Sequence, residues 1–392
     1  MRKHSHRARL ETRGFTGGVA CPHRPPCPGC PRFGETGLDP AVQGALDALA
    51  LAHGLPAVPV VSGQKAAFRL RARLAIRGRV GSPKLGLFEA GSHRVVHIPN
   101  CQVQHPLVNH VSAIVRRALV DTRVSCYSEK VQQGLARHLQ VVVERASQTA
   151  QVVLVANAAT PAPLAECLAL IRERLGGDLH SLWFNANTGH TNTILGPEFQ
   201  HWCGPSSVVE HFGGAAVHYP PGAFGQSNLE IAQHIIDHVR SEIPPLARVA
   251  EFYAGVGAIG LSVLDRVVDI CMNEVNPHAL RGLAAGLDGL DAPTRAKVSV
   301  VPGAAGAACE AASRAQVVIA DPPRKGLDAE LIEFLAAHPP ERFVYVSCGF
   351  ESFLRDAASL IARGTLRLGT LRAFNLLPFT GHVETVARFE RV

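Results

Sequence analysis

The sequence lacks any long uninterrupted apolar run. The most apolar early stretch, Ala41 to Pro56, is broken by Asp47, His53 and Gly54, whereas a spanning helix needs about 20 mainly apolar residues. The basic opening, Met1 to Arg7, is not followed by the apolar core of a secretory signal. These absences argue against a spanning helix and a secretory leader, so we expect a cytoplasmic protein.

The sequence also shows no internal repeat and no low-complexity tract, so a repeat architecture is not expected. Its ten cysteines, in a reducing compartment, are expected to be thiols or metal ligands rather than disulfides. With 392 residues, 47% of them hydrophobic, the chain can bury an ample core, and two or three domains are expected.

Charged residues make up only 18% of the chain, but their sign is uneven. The formal charge of +7 and the pI near 9.0 favour a polyanionic partner over an acidic small molecule or a neutral protein surface. A generally basic proteome is the alternative explanation. Basic residues crowd into the first quarter of the chain: Arg2, Lys3, Arg7, Arg9, Arg13, Lys65, Arg69, Arg71, Arg73, Arg77, Arg79 and Lys84.

Three segments differ in their patterning. Residues 1–35 are basic and proline-rich with no helical or strand period, so ligation rather than a core is expected to hold them. Residues 36–215 predict a mixed α/β domain. Within it, Phe68 to Ile76 alternates apolar and basic residues, which predicts a strand with one buried and one cationic face.

Residues 216–392 alternate between strand and helix patterns. Such alternation predicts a doubly wound parallel sheet that is covered on both faces. Two β-rich segments, Leu366 to Asn375 and Val383 to Arg391, close the chain and predict an antiparallel hairpin at the edge. The fold class is therefore α/β, with a Rossmann-like C-terminal domain.

A glycine-rich segment, Glu251 to Gly260, follows the first strand of this series and opens a helix. Glycines let the backbone turn tightly and approach a ligand beyond the carboxyl ends of the strands. Glu274 ends the next strand, where a carboxylate suits a ribose hydroxyl pair. A nicotinamide-dependent reductase would carry the same loop, but it has no need for the cluster Asp321 to Arg324. An ordinary tight turn with a solvated Glu274 is the alternative.

A thiol and a carboxylate follow at later strand ends. Cys348 stands between a strand and a helix, where the helix dipole is expected to favour the thiolate. A small buried hydrophobic residue is the alternative reading of one cysteine among ten. Glu384 lies in an otherwise apolar segment, so burying it would be costly without a role or a partner. A surface hairpin carboxylate is the alternative there.

Three cysteines, Cys21, Cys27 and Cys30, fall within one small loop. Shared ligation explains them economically, and Cys101 is the best candidate for a fourth ligand. Three close cysteines with a distant fourth suit a four-iron cluster, whereas zinc ribbons more usually show two close pairs. Zinc and unligated thiols are the alternatives.

Together these motifs resemble those of the RNA uracil-5 methyltransferases that use S-adenosylmethionine, and the resemblance covers nearly the whole chain. Its motifs follow in the family's order: the four cysteines, Phe68 to Leu74, Asn185 to Gly196, Gly222 to Asn228, the glycine loop, Asp321 to Arg324, Ser347-Cys348 and Thr380 to Glu384.

The resemblance implies a role for each matching residue. Cys348 would add to uracil C6, and Glu384 would remove the C5 proton. Four residues would contact the methyl donor: Gln226, Tyr253, Glu274 and Asp321. Asp321 could also orient the base, and Arg324 could meet a phosphate or the developing oxyanion.

The resemblance also implies an iron–sulfur cluster on Cys21, Cys27, Cys30 and Cys101, of the [4Fe-4S] type. Residues 36–215 would recognise RNA, with the uridine extruded from its fold. The family's frequent N-terminal β-barrel module is not expected here, since about 20 residues precede Cys21. We expect a monomer that acts on RNA, with neither membrane nor DNA as a partner.

The cysteine pattern resembles that of members acting on 23S ribosomal RNA, so ribosomal RNA is the expected substrate, with transfer RNA as the alternative. The chain departs from the family at Gly349-Phe350, where Asn-Pro is common, at Gly225, and at Ala304-Ala305. Because Cys348 and Glu384 are intact, an active enzyme is favoured over a catalytically silent RNA-binding homologue.

Overall fold

The structure is a computed structural model that describes residues 20–392. Two large sheets and a two-stranded ribbon organise this part of the chain. The strands are β1 (Val60–Ser62), β2 (Arg71–Arg79), β3 (Ser82–Phe88), β4 (Val95–His97), β5 (Ala136–Val143), β6 (Ala150–Ala156), β7 (Leu179–Ala186), β8 (Glu198–Cys203), β9 (Val208–Phe212), β10 (Ala215–Tyr219), β11 (Ala247–Phe252), β12 (Val267–Glu274), β13 (Val298–Pro302), β14 (Val317–Ala320), β15 (Arg342–Ser347), β16 (Leu366–Asn375) and β17 (Glu384–Arg391).

The α-helices of residues 20–392 cover both sheets. They are α1 (Pro40–Ala52), α2 (Pro106–Asp121), α3 (Ala165–Leu175), α4 (Leu229–Glu242), α5 (Ala258–Ser262), α6 (Pro277–Asp288), α7 (Ala292–Arg295), α8 (Cys309–Ala312), α9 (Ala329–Ala337) and α10 (Phe350–Ala362). Short 3₁₀ turns occur at Ala162–Leu164, Gly176–Asp178 and Ala305–Ala308. No helix in this part of the chain is long and apolar enough to cross a membrane.

The larger sheet has eight strands in the order β1-β16-β17-β15-β14-β11-β12-β13. The five neighbouring strands β15, β14, β11, β12 and β13 run parallel to one another. β17 is antiparallel to both β15 and β16. Val317 and Ile319 of β14 face a core shared with α4, α5 and α6. Val318 and Ala320 face a second core shared with α1, α9 and α10. The predicted doubly wound sheet is therefore confirmed, and its double cover explains why β14 is apolar throughout.

The predicted hairpin of β16 and β17 forms, but it does not end the sheet. β1 pairs in parallel with β16 beyond it, with Val61 opposite Phe374. α1 packs Leu46 and Ala50 into the core that also contains Phe343. A segment from the first sixth of the chain thus joins the C-terminal sheet, which no local pattern indicated. The domain boundaries at residues 35 and 215 stay predictions.

The middle domain contains a seven-stranded sheet in the order β4-β3-β2-β5-β6-β7-β8. Its neighbouring strands are antiparallel except for β6 and β7, which are parallel and joined through α3. α2 and α3 pack on this sheet around Val111, Leu139 and Leu168. The expected mixed α/β character is present. The ribbon of β9 and β10 packs Phe212 and Val217 into the core of the larger sheet instead.

The cationic face predicted for β2 is only partly exposed to solvent. Arg71 donates from Nη1 to the Ala223 carbonyl at 2.8 Å, and burial lowers the pKa of Arg71 to about 10. Arg77 is buried and pairs with Glu129. Of the four arginines of β2, Arg73 and Arg79 are exposed, Arg71 is half-buried and Arg77 is buried. The two less exposed guanidinium groups keep hydrogen-bond partners within the protein.

Candidate active site at the carboxyl edge of the large sheet

The register of three neighbouring strands brings Asp321, Cys348 and Glu384 to one edge of the large sheet. Asp321 follows β14 directly, and Cys348 follows β15 directly. Ala320 is opposite Tyr345 in the parallel pair. β17 begins at Glu384 and runs antiparallel to β15, with Thr385 opposite Ser347. Carboxyl ends of parallel strands share an edge, so a thiol and two carboxyl groups meet there, as the sequence predicted.

The Cys348 thiol is harder to ionise than a helix terminus alone would suggest. Burial, followed by the charges of Glu384 and Asp321, raises the pKa of Cys348 to about 11, against a smaller lowering effect of Arg324. Burial and the two carboxyl groups thus oppose the thiolate that the helix dipole is expected to favour. Desolvation and two nearby carboxyl groups outweigh a dipole end, which contributes only within one turn.

Burial raises the pKa of both carboxyl groups of the site. Burial and the neighbouring Asp321 raise the pKa of Glu384 well above its usual value, and only 5% of Glu384 is exposed. Burial raises the pKa of Asp321 from 3.8 to about 7. A carboxylate with high proton affinity is the stronger base when ionised, so Glu384 has the character that proton abstraction from carbon requires.

Asp321→Asn is expected to stabilise the protein at pH 8. The pKa of Asp321 lies near 7 in the folded protein, above its unfolded value of 3.8. The free energy of unfolding of the wild type is therefore highest below pH 4, where Asp321 is protonated in both states, and it falls as pH rises through 7. The substitution should raise the free energy of unfolding by about 2 kcal/mol at pH 8, after allowance for solvent around a partly exposed carboxyl group, and by much less at pH 4.

Urea unfolding at both pH values measures this effect. Asp269→Asn, which changes an exposed carboxylate of β12 paired with Arg248, serves as the control. An equal change at both pH values would contradict the assignment of a raised pKa to Asp321.

Side chains from the first two turns of α10 hold the loop that carries Arg324 through hydrogen bonds. Ser352 Oγ donates to the Arg324 carbonyl at 2.9 Å, and Arg355 donates to the Lys325 carbonyl at 2.6 Å. The buried Asp356 carboxylate accepts from the Leu327 amide at 2.9 Å and from the Tyr345 hydroxyl at 2.8 Å. These residues are not among those predicted from the sequence. A signal existed for Asp356, because it is an acidic residue on the apolar face of α10.

Gly349 lets this loop lie against the helix that follows Cys348. A Cβ at Gly349 would lie 2.6 Å from the Arg324 carbonyl oxygen and would also meet Ser352 Oγ. The loop occupies the space that a side chain at this position would need.

Gly349→Asn is expected to displace the Arg324 loop and to lower kcat/KM by ~10²-fold, because small displacements of catalytic groups have effects of that size. Steady-state kinetics measures it. Gly44→Ala, in α1, is the control, since a Cβ there meets nothing within 4 Å. Wild-type kinetics for Gly349→Asn would show that the close approach is not required.

Glu274 ties the glycine loop to the end of β12. Its Oε2 accepts from the Gly255 amide at 2.7 Å, and its Oε1 accepts from the amides of Val275 and Asn276. Tyr253 has a left-handed backbone with φ of 59°, and its hydroxyl donates to Asp328 at 3.1 Å. Both residues thus shape the loop, while their contacts with a methyl donor stay predictions.

Gln226 lies at the junction between the two sheets. It lines a small pocket with Arg71, Tyr219 and Glu210. A Cβ at the neighbouring Gly225 would lie 2.8 Å from the Arg71 guanidinium and from the Tyr219 ring. These two side chains fill the space that a larger residue at position 225 would occupy. The donor contact of Gln226 stays a prediction.

The four predicted cysteine ligands line one cavity. Cys21, Cys27, Cys30 and Cys101 surround it, and burial followed by the charge of Cys101 raises the pKa of Cys30 to about 11. The side chains that complete the wall are apolar, neutral polar or basic, with no acidic group among the lining residues. Within residues 20–392, however, no group of three or more histidine, cysteine or acidic side chains is positioned to hold a metal ion. The cluster therefore stays a prediction.

Comparison with known proteins supplies relatives along most of the chain. A family model described as tRNA (Uracil-5-)-methyltransferase matches residues 311–392. A protein of Protochlamydia amoebophila, named an uncharacterized RNA methyltransferase, is 35% identical over 335 residues, covering 84% of this chain and 87% of that protein. A relative from Lactococcus lactis with a similar name is 28% identical over 86% of this chain and 74% of its own length.

A solved structure shares the fold. The tRNA (uracil-54, C5)-methyltransferase of Pyrococcus abyssi, in complex with S-adenosyl-L-homocysteine, aligns with a TM-score of 0.71 at 21% identity. The alignment covers 89% of this chain and 81% of that one. At this identity the likeness concerns the fold alone, and it extends over both sheets.

Proposed function

Because the chain belongs to the S-adenosylmethionine-dependent RNA uracil-5 methyltransferases, we propose that it methylates C5 of a specific uridine in 23S ribosomal RNA through a covalent Cys348 adduct. The observation that carries this proposal is the meeting of Cys348, Glu384 and Asp321 at one sheet edge. Transfer RNA is the second candidate substrate, favoured by the descriptions of the matching family model and of the Pyrococcus abyssi structure.

The first step is the addition of Cys348 to uracil C6. The thiol needs a proton acceptor, because its pKa is raised to about 11. Asp321 is the proposed acceptor, since its pKa of about 7 leaves it partly ionised at neutral pH. The S–C6 bond forms as the electrons of the C5=C6 bond move to O4, and the resulting enolate is nucleophilic at C5. The exposed Arg324 guanidinium would stabilise this charge.

The second stage transfers the methyl group and releases the enzyme. S-adenosylmethionine supplies the methyl group when bound, and C5 forms its new carbon bond as the sulfonium becomes a thioether. Glu384 then accepts the C5 proton, the double bond returns, and the S–C6 bond breaks to restore the thiolate. Asp321 returns its proton to the thiolate, and Glu384 loses one proton to solvent, so the reaction releases one proton in total.

Residues around the glycine loop would bind the donor. Tyr253 and Asp321 follow β11 and β14, and Glu274 ends the neighbouring β12, at the sheet edge where cofactors of doubly wound sheets bind. Gln226 would approach from the junction of the two sheets. The uridine would be extruded from its RNA fold so that both faces of its ring are reached. Arg324 and Lys325 are exposed beside the site and would contact RNA phosphates.

Mapping 5-methyluridine in ribosomal and transfer RNA from a strain lacking this gene tests the proposal. Loss of one 5-methyluridine in 23S ribosomal RNA, restored by the wild-type gene but not by a Cys348→Ala copy, is the expected result. Loss confined to transfer RNA would favour the alternative substrate. Unchanged 5-methyluridine in both RNAs would favour a catalytically silent RNA-binding homologue.

We further propose that Cys21, Cys27, Cys30 and Cys101 hold a [4Fe-4S] cluster. Their shared cavity and its basic lining support this, because four thiolates around such a cluster leave a net negative charge. Zinc is the less favoured alternative. The cluster would supply structural cross-linking of a segment that has no helix or strand of its own.

Anaerobic purification is expected to give a brown protein with about four irons per chain. Cys27→Ser should lose the colour and the iron, because one of four ligands is removed. Cys126→Ser, at a buried cysteine of the middle domain, should retain both. Colourless wild-type protein that contains zinc would overturn the assignment.

A further inference from the structure

Two loops that are distant in sequence meet beside the active site. The cysteine loop, residues 21–33, carries three of the predicted ligands, and the base loop, residues 376–383, leads into Glu384. The Arg32 amide donates to the Phe379 carbonyl at 3.0 Å. The rings of Phe33 and Phe379 pack with centroids 5.0 Å apart and planes tilted by 44°. A small apolar cluster of Phe68, Val103 and Phe379, with Cys30 and Phe33 against it, surrounds this contact.

The base loop has a conformation that needs outside support. Phe379 has a φ of 67°, a left-handed backbone that is unfavourable for a bulky residue. Such strain persists where surrounding structure enforces it. Phe379 is nevertheless 94% buried, with 6% exposed, and the cysteine loop supplies both a hydrogen bond and an aromatic ring to it. The contact with the cysteine loop thus holds Phe379 in this conformation.

A short turn with two side-chain hydrogen bonds connects Phe379 to Glu384. Thr380 Oγ1 donates to the Leu377 carbonyl at 2.7 Å, and the His382 amide donates to Thr380 Oγ1 at 3.2 Å. Val383 is buried, and β17 begins with Glu384. Gly381 and His382 are exposed, so the two hydrogen bonds of Thr380 and the burial of Val383 are the contacts that link a movement of Phe379 to Glu384.

We propose that Phe33 and Phe379 are positioning residues for Glu384. Through their contact, the cysteine loop holds the general base in its position. The inference rests on the proposed function for the role of Glu384. It assigns the cysteine loop a part in proton removal from C5. Cys348 is held separately by β15 and α10, so the addition step does not depend on this contact.

The expected signature is a selective slowing of the step that Glu384 performs. Phe33→Ala should lower kcat by ~10-fold with little change in KM for RNA. The methylated covalent adduct should accumulate, and RNA carrying deuterium at uridine C5 should show a larger isotope effect than in the wild type. Phe33→Leu, which retains an apolar contact, should restore most of the rate.

A matched control separates this effect from general loss of packing. Phe199→Ala removes a ring that packs on His278 at the same centroid distance, 5.0 Å, and should not increase the isotope effect. Phe379→Ala removes the second ring of this contact and leaves the sequence of the cysteine loop unchanged. Iron content and circular dichroism of each variant report whether the cysteine loop and the fold are retained.

Amide hydrogen exchange of residues 376–383 tests the buttress independently of any reaction. Faster exchange in Phe33→Ala than in Phe199→Ala supports the contact even if the wild type methylates no uridine, in which case only the role in catalysis is overturned. Wild-type exchange and a wild-type isotope effect in both Phe33→Ala and Phe379→Ala would overturn the inference itself.

Discussion

Replacing Cys348 by alanine is expected to lower the rate of methyl transfer by at least ~10⁴-fold, because uracil C5 is not nucleophilic until a thiolate has added at C6. RNA binding should persist, since Cys348 is a small, partly buried side chain at a strand end and carries no phosphate contact. Transfer of a labelled methyl group to RNA measures the first effect, and a filter-binding assay measures the second.

The control for this variant is Cys203→Ala, which removes a partly buried thiol from β8 in the other sheet. Normal turnover by Cys348→Ala would rule out the covalent mechanism. The raised pKa of Cys348, about 11, adds a pH dependence. Alkylation of this thiol in the free wild-type protein should accelerate by about tenfold per pH unit between pH 7 and 9.

Replacing Glu384 by glutamine is expected to trap the methylated RNA on the enzyme. The amide has nearly the same shape but cannot accept the C5 proton, so addition and methyl transfer proceed while elimination slows by ~10³-fold. A covalent protein–RNA band that survives denaturing electrophoresis, with the mass of the methylated adduct, is the measurement. The band should disappear when Cys348 is also replaced by alanine.

Glu390→Gln on the same strand is the matched control, because Glu390 pairs with Arg367 and Arg388 at the other end of β17. It should turn over without adduct. Glu384→Gln that turns over at the wild-type rate would remove Glu384 from the mechanism. A variant that is inactive and forms no adduct would instead assign Glu384 to an earlier step.

Much of the C-terminal fold could be predicted from local pattern. The segment Leu366 to Asn375 forms β16 over the same residues, and strands and helices alternate from β11 to α10. Such agreement is expected where a sheet is covered on both faces, because short apolar runs and amphipathic helices then alternate with little ambiguity. The position of β1 was not predictable, since three residues that add to a sheet edge carry no distinctive period.

The departures from the family also needed the structure for their explanation. Gly349 and Gly225 look like losses when the sequence is read alone. In the structure, each glycine makes room for a group that is remote in sequence, the Arg324 carbonyl in one case and the Arg71 guanidinium with the Tyr219 ring in the other.

The sequence by itself determined which chemical groups meet, because parallel strands bring Asp321 and Cys348 to a common edge and the returning β17 starts with Glu384 beside them. Only the tertiary structure decided how these groups behave. Burial and like charges raise the pKa of Cys348 where the helix dipole alone predicted a lower one, and Arg71 and Arg77 of β2 are directed into the protein. The succession of strands and helices along the chain follows from local periodicity, whereas ionisation depends on the solvent exclusion and charges that distant segments bring together.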